Sequence, residues 1–155
     1  MPSVKPIPDG YSALTPYLIV ADGAGAVAFY EKVFGAKVRL KLERPDGKLG
    51  HTELEIGDSV IMLADEHPEH QAHAPAHFGG SPVTLHLYVD NVDAVVGRAR
   101  GAGGKITRPV DDMFYGDRSG TFTDPYGHVW HVATHIEDVS PDEINRRAAA
   151  AMQKG

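Results

Sequence analysis

The sequence predicts an α+β fold of two βαβββ modules followed by a C-terminal helix. A strand, a helix and three further strands occur twice in the same order, which indicates an internal duplication. Matching positions in the two halves are 68 or 69 residues apart: Val20 and Val89, Lys37 and Lys105, Met62 and His131. We expect a single domain spanning 1–155, because a chain of this length that is 42% hydrophobic can bury one core of ordinary size.

The first module extends over about residues 12–65. It opens with a short apolar strand, Thr15–Val20, and a helix, Ala24–Phe34, in which apolar residues recur at helical spacing before Gly35. Turn sequences at 45–48 and 57–58 separate three further strands, which we expect to be antiparallel. These strands are Lys37–Glu43, His51–Ile56 and the segment SVIMLA that starts at Ser59.

The second module, about residues 82–136, repeats this order. Strand Val83–Val89 leads into helix Val92–Ala102, which ends at two glycines. The three strands that follow are Lys105–Val110, Gly120–Thr123 and Val129–His135, the last two separated by a DPYG turn. A final helix over 140–152 begins with Ser140 as N-cap and a proline in its first turn, and we expect it to dock without taking part in chemistry.

The linker between the modules, residues 66–81, contains four histidines. They are His67, His70, His73 and His77, and their number raises the possibility of a metal site. Prolines interrupt any helix that would align them, and neither an acidic residue nor a cysteine is fixed beside them. A solvated loop is therefore the favoured interpretation.

The composition excludes several classes of function. The formal charge is -6 and no basic stripe is present, which argues against nucleic acid as a partner. No cysteine is present, so a metal would have to be held by His, Glu or Asp. No apolar stretch is long enough to cross a membrane and the N-terminus does not resemble a signal peptide, so we expect a cytoplasmic protein.

Several segments together resemble the vicinal-oxygen-chelate superfamily of glyoxalases, bleomycin-resistance proteins and extradiol dioxygenases. They are PYLIVADGAGAVAFYEKVFGA, GHTELEIGDSVIML, PVTLHLYVDNVDAV, YGDRSG and DPYGHVWHVATHIEDVSPDEI, and they cover nearly the whole chain from Leu14. The most specific of them is DPYGHVWHVATH after a second module, and the pattern is most similar to the PhnB-like branch.

The resemblance implies a cup-shaped mixed sheet that binds a small molecule, often completed in a homodimer, with a divalent metal in the cup. The positions that match the ligands of the metal-dependent members are Thr15, Met62, Thr84 and His131. Only His131 is an ordinary ligand for zinc, nickel, manganese or iron. The standard metal site therefore looks dismantled, and no cofactor is certain.

Strand alternation predicts which other side chains line the cup. Thr84, His86 and Tyr88 share one face of their strand, and His51 and Glu53 turn away from the apolar residues of theirs. One hypothesis is a rearranged metal site made of His51, Glu53, His86 and His131. The favoured alternative is a polar pocket in which these groups hydrogen-bond each other.

Three further residues allow two interpretations each. Tyr17 and Tyr88 are either aromatic walls for a planar ligand or half-buried structural tyrosines, with the lining role favoured. Arg118 either pairs with an anionic substrate or ties its loop by bonding Asp117 or Asp124, and the turn-rich sequence favours the second role.

Two functions follow from these expectations. The first is metal-free capture of a small aromatic or cationic compound. Its ligand-binding candidates are Tyr17, His51, Met62, Thr84, His86 and Tyr88. The alternative is a lyase or isomerase of the glyoxalase type, with Glu53 or His131 as the base and a metal on His86 and His131. An extradiol dioxygenase is disfavoured, since that chemistry needs two histidines and a carboxylate around ferrous iron and the matching positions supply one histidine. A methyltransferase is disfavoured because no strand is followed by a glycine-rich turn and helix that would hold its cofactor.

Overall fold

The computed structural model describes residues 3–154, which divide into two compact units, one up to Ser81 and one from Pro82 onward. Each unit contains one four-stranded mixed sheet and one helix beside it, and the second unit adds a C-terminal helix. The predicted α+β fold is thereby confirmed. No helix within the described range is both long enough and apolar enough to cross a membrane.

The first unit contains the elements of one βαβββ module. They are β1 (Tyr17–Val20), α1 (Gly23–Phe34), β2 (Lys37–Glu43), β3 (Leu49–Ile56) and β4 (Ser59–Asp65). The strand order in the sheet is β1-β4-β3-β2. Strand β1 runs parallel to β4, and the other two pairs are antiparallel, as predicted for the three consecutive strands.

The second unit repeats this arrangement. Its elements are β5 (Thr84–Tyr88), α2 (Val92–Gly101), β6 (Lys105–Asp112), β7 (Asp117–Thr123), β8 (Val129–His135) and α3 (Pro141–Lys154). The order β5-β8-β7-β6 and the single parallel pair match the first sheet. The largest boundary error of the sequence prediction is in β7, which begins three residues before Gly120.

The linker is more regular than a solvated loop. Two short 3-10 helices, Pro68–His70 and Pro75–Phe78, lie within it. Each begins at a proline, whose fixed φ and missing N–H suit the first position of a helical turn. No helix within 66–81 aligns the four histidines, because each proline starts a separate short turn.

The core of each unit lies between the helix and one face of its sheet. In the first unit Val20, Leu54 and Leu63 are buried together with Tyr30 and Val33 of α1. In the second, Phe122, Trp130 and Val132 of the sheet are buried with Val92 and Val96 of α2. Because side chains alternate along a strand, the residues between these positions point to the opposite face of the sheet. That second face carries the candidate site residues.

Helices α1 and α2 are each fixed at the N-terminus by a side chain from the last strand of their module. The buried Asp65 carboxylate accepts hydrogen bonds from the backbone N–H groups of Gly23 and Leu49, both at 2.7 Å. At the equivalent place in the second unit, the Thr134 hydroxyl accepts from the Val92 N–H at 2.9 Å and donates to the Val89 carbonyl at 2.8 Å. A Cβ on Gly23 would lie only 2.6 Å from Asp65 Oδ2, so glycine is needed at that position.

Candidate functional site

The sheet register defines one row of four side chains on the second face of each sheet. Residues directly opposite each other in paired strands point to the same face. The first row is Tyr17, Met62, Glu53 and Leu40, and the second row is His86, His131, Thr121 and Arg108. Corresponding members of the two rows are 68 or 69 positions apart. The duplicated fold thus carries two chemically different versions of one surface.

The first row belongs to a continuous chain of hydrogen bonds. Tyr17 donates to His51 Nδ1 at 2.8 Å, and His51 Nε2 lies 2.8 Å from Glu53 Oε2. Tyr11 donates to the other oxygen of Glu53, and the Arg39 guanidinium lies over the Tyr11 ring, 4.7 Å from its centroid. With Glu53 ionised, His51 carries its proton on Nε2 and accepts at Nδ1. Two tyrosines, a histidine and a carboxylate are therefore mutually satisfied.

Glu53 is held as an anion in this chain. Its side chain is only 6% exposed, yet hydrogen bonds from Tyr11 and then His51 lower its pKa despite its burial. The same hydrogen bond to Glu53 raises the pKa of Tyr11, and burial raises that of Tyr17. A low pKa and two occupied oxygens make Glu53 a poor proton acceptor for a substrate. The geometry favours a role in orienting His51 over the predicted role as a base.

His131 occupies the centre of the second row. Its Nδ1 is 3.0 Å from the Thr121 hydroxyl and 3.4 Å from a terminal nitrogen of Arg108. Since arginine can only donate, Nδ1 is the unprotonated nitrogen and the proton lies on Nε2. Burial, and then the neighbouring His86 and Arg108, lower the pKa of His131. A neutral imidazole thus stands beside a permanent cation.

His86 and Tyr88 are exposed beside His131. The His86 ring centroid is 4.7 Å from that of His131 and 5.0 Å from that of Tyr88. The Tyr88 hydroxyl donates to the buried Asp117 at 2.7 Å, while the residue as a whole is 58% exposed. The Tyr88 hydroxyl thus has a structural partner and its ring is exposed, and the role of that ring in lining a ligand site stays a prediction.

Asp117 is the centre of a charge cluster that sequence reasoning missed. His135 bonds Asp117 through Nδ1 and Asp138 through Nε2, each at 2.8 Å. Burial acts to raise the pKa of Asp117, but hydrogen bonds from His135 and Tyr88 lower it overall. Hydrogen bonds to Asp117 and then to Asp138 raise the pKa of His135. The cluster was missed because Asp117 was placed in a loop, whereas it is the first residue of β7.

Arg118 ties secondary structure elements together, but through other partners than expected. It forms a two-pronged ion pair with Asp93 at 2.8 and 3.0 Å and also contacts Asp112 at 2.9 Å. The predicted partners Asp117 and Asp124 were wrong, since Arg118 lies within β7 directly opposite Asp112. Asp124 instead closes the DPYG turn by accepting from the N–H groups of Tyr126 and His128.

The four positions inferred from the metal-dependent members do not fit a divalent metal here. Thr15 precedes β1, and Thr84 pairs with Val129, one row away from His131. Met62 offers a thioether, and Nδ1 of His131 is taken by Thr121 with a guanidinium beside it. Within residues 3–154, no three or more His, Asp or Glu residues are grouped so as to hold a metal ion.

The hypothetical constellation of His51, Glu53, His86 and His131 occurs as two pairs. His51 is bonded to Glu53 in the first unit, and His86 lies beside His131 in the second. The linker histidines are also paired, with ring centroids 4.0 Å apart for His67 and His70 and 3.8 Å apart for His73 and His77. Each of these histidines thus takes part in a hydrogen bond or a ring contact with another member of its pair.

Comparisons with known proteins identify a family whose sequences this chain matches. The model of the Glyoxalase/Bleomycin resistance protein/Dioxygenase superfamily matches residues 12–132. Mb0911c of Mycobacterium bovis and Rv0887c of Mycobacterium tuberculosis are each 41% identical over 135 residues. The match covers 85% of this chain in both cases, and 89% and 79% of those proteins respectively.

Solved structures share the architecture at lower identity. Protein PA1353 from Pseudomonas aeruginosa is 25% identical with a TM-score of 0.64, covering 80% of this chain and 98% of that one. A PhnB protein from Bacillus cereus is 18% identical with a TM-score of 0.61, covering 79% and 99%. The fosfomycin resistance protein FosX from Mesorhizobium loti is 19% identical with a TM-score of 0.60, covering 85% and 95%. The last two likenesses concern the fold alone. The duplicated βαβββ architecture and the match over most of the sequence establish that this chain belongs to the glyoxalase/bleomycin resistance protein/dioxygenase superfamily.

Proposed function

We propose that this protein binds a small organic molecule on the second face of one of its two sheets, without a metal at the positions where metal-dependent family members hold one. The observation that carries the proposal is the environment of His131. Its Nδ1 accepts from Thr121, and the Arg108 guanidinium lies 3.4 Å away. A fixed positive charge this close repels a divalent cation, and it replaces the carboxylate that usually supports a metal-bound histidine.

Exposed rings next to polar groups support the binding of a ligand. Tyr17 and Tyr88 are 47% and 58% exposed, and Leu40 and Leu42 on the first sheet are 40% and 52% exposed. Leu40 and Leu42 lie directly opposite Glu53 and His51 and therefore point to the same face. Apolar and aromatic surface with a few fixed polar groups is typical of small-molecule sites. A planar compound suits either face, because it stacks on a ring and leaves the hydrogen-bonded groups in place.

Membership of the PhnB-like branch and assembly as a homodimer are parts of the same proposal. The branch is supported by the DPYGHVWHVATH segment and by the shared fold of the Bacillus cereus PhnB protein. The dimer follows from the family resemblance. One chain has a mass of 16.7 kDa, and light scattering should give twice that value. A monomer mass would contradict the dimer without affecting the proposal of ligand binding.

The proposal is tested by a thermal-shift screen of planar aromatic compounds, with hits measured by calorimetry. We expect one compound bound per chain and no chemical conversion. His86→Ala should weaken a hit by roughly tenfold, equivalent to about 1.4 kcal/mol, since a ring contact is lost. His77→Ala is the matched control, because His77 is an exposed histidine of the linker. Hits that bind both variants with equal affinity would contradict a site on the row of His86.

A second candidate function is proton transfer beside a carbonyl group, and it is favoured by the chain from Tyr17 through His51 to Glu53. A histidine oriented by a carboxylate can accept the Tyr17 proton at Nδ1, so the Tyr17 oxygen can take a proton from a substrate in exchange. We would follow the exchange of α-hydrogens with deuterated solvent in a panel of α-hydroxycarbonyl compounds. This function requires exchange that His51→Ala abolishes and that His77→Ala, at an exposed histidine of the linker, retains. Binding without exchange would leave capture as the function.

A further inference from the structure

The second face of the second sheet carries a positive charge that no carboxylate neutralises. The charge belongs to Arg108, which is half-buried and forms no ion pair with any residue in the range 3–154. Its terminal nitrogens donate to the Ser119 carbonyl at 3.2 Å, to the Ser119 hydroxyl at 2.8 Å and to Met113 Sδ at 3.5 Å. One of them also lies 3.4 Å from His131 Nδ1. All four acceptors are neutral, so these contacts hold the guanidinium in place without compensating its charge.

The two histidines of the second row have ring nitrogens that no described protein group uses. Nδ1 of His131 is the acceptor, so its proton lies on Nε2, which has no hydrogen-bond partner between residues 3 and 154. In that range the buried polar side-chain atoms without a partner belong to Thr52 and His67 only, so Nε2 of His131 is open to solvent. Neither nitrogen of the exposed His86 has a hydrogen-bond partner there, and its ring centroid is 4.7 Å from that of His131. Nε2 of His131 is thus a fixed, accessible donor, and His86 offers a second one.

Two carboxylates share this face of the sheet, but each has other partners. Asp117 is bonded to Tyr88 at 2.7 Å and to His135 at 2.8 Å, so its charge is already paired. Asp111 lies at the exposed end of β6, and its carboxylate accepts from the N–H of the next residue at 2.8 Å. It forms no ion pair with Arg108. Neither carboxylate therefore neutralises the guanidinium.

The electrostatic environment of His131 agrees with this distribution of charge. Burial lowers its pKa most, and among its charged neighbours His86 and Arg108 each lower the pKa by more than Asp117 raises it. A second positive charge is therefore unfavourable at this point of the sheet, and a negative charge is favourable.

We propose that the ligand of this protein is a planar aromatic anion, which binds to the second sheet with its anionic group at His131 and His86. The oxygens of that group accept from Nε2 of His131 and from His86, as charge-assisted hydrogen bonds. Arg108 acts through its charge and keeps its present contacts, so binding does not require its N–H groups. The exposed ring of Tyr88, 5.0 Å from that of His86, is available to the aromatic part. The inference rests on the proposed function and adds the sheet and the charge of the ligand, with every residue in the second unit.

The test compares benzoate, benzamide and benzamidine, which share a planar shape and are anionic, neutral and cationic. Calorimetry with the full chain should show that benzoate binds at least about tenfold more tightly than benzamide, and that benzamidine binds most weakly. This comparison needs no variant, so it is decisive even if a substitution prevents folding.

Two variants assign the preference to the second row. Arg108→Gln should weaken benzoate by about tenfold and change benzamide by less than about twofold, because only the charge of the site is lost. His131→Phe keeps a ring at this position but removes the donor, so it should also weaken benzoate.

Arg100→Gln is the matched control, because it also removes one arginine charge from the second unit. Arg100 is exposed on α2, which packs against the core face of the sheet, so benzoate should bind this variant as it binds the original protein. Equal binding of benzoate and benzamide, or equal losses of benzoate in Arg108→Gln and Arg100→Gln, would overturn the inference. If benzoate does not bind while other compounds bind and depend on His86 or Tyr17, the anionic class is refuted and the proposed function stands. If no compound binds in a way that depends on either row, both fail.

Discussion

Two buried carboxylates of the first unit have opposite tasks. Asp65 accepts from two backbone N–H groups and fixes the start of α1, whereas Glu53 accepts from Tyr11 and His51 on the other face of the sheet. The sequence shows both carboxylates, and strand alternation correctly predicted that Glu53 points away from the core. The tie between Asp65 and Gly23 was not predictable, since it joins residues 42 positions apart.

Replacing Asp65 by alanine should destabilise the protein by about 2–5 kcal/mol, because two buried N–H groups lose their partner. Thr134→Ala at the equivalent place should cost less, about 1–2 kcal/mol, since one neutral hydroxyl is lost. Urea unfolding of both variants measures the difference. A smaller loss in Asp65→Ala than in Thr134→Ala would contradict this account.

The environment of His131 leads to a titration prediction. Burial, His86 and Arg108 lower its pKa from the ordinary value of 6.5, so the folded state favours the neutral ring. Its contribution to stability is present above 6.5 and is lost as the pH falls below it. Nuclear magnetic resonance should give a midpoint below 6.5 that rises in Arg108→Gln. A midpoint above 6.5 would refute the neutral assignment.

At the scale of elements, local sequence patterns predicted which strands and helices form, but not how the strands are aligned with each other. Apolar periodicity gave the order of the strands and helices, because it depends on neighbouring residues only. The register did not follow from it, since a shift by one residue reverses the faces of a strand. The rows that bring His86 to His131 and Glu53 to Met62 therefore required the structure.

The contacts of His135 join β7 and β8 to the segment before α3, and they should depend on pH. Hydrogen bonds to Asp117 and Asp138 raise the pKa of His135 above its unfolded value of 6.5. The stabilisation is complete below 6.5 and is lost as the pH rises through the raised pKa. Unfolding of His135→Gln should show a weaker loss of stability over this interval than the original protein. An unchanged pH profile would show that the cluster contributes nothing.

At the scale of the whole molecule, duplication produced two similar frameworks with different surfaces. Tyr17 and Met62 of the first unit correspond to His86 and His131 of the second, and Leu40 corresponds to Arg108. The family and the repeat could be recognised from the sequence because both depend on the types of segment and their order along the chain. The hydrogen-bond partners of individual polar side chains could not be predicted from the sequence, as Arg118 and Asp117 demonstrate.

The most direct test of metal-free binding is metal analysis of the protein purified without a histidine tag. The protein, His86→Ala and His131→Ala are each loaded with zinc, nickel, manganese or ferrous iron and then desalted. We predict far less than one metal per chain, unchanged in both variants, because Arg108 and Thr121 occupy the surroundings of His131. One metal per chain that is lost in both variants would contradict the proposal and favour a lyase with a rearranged metal site.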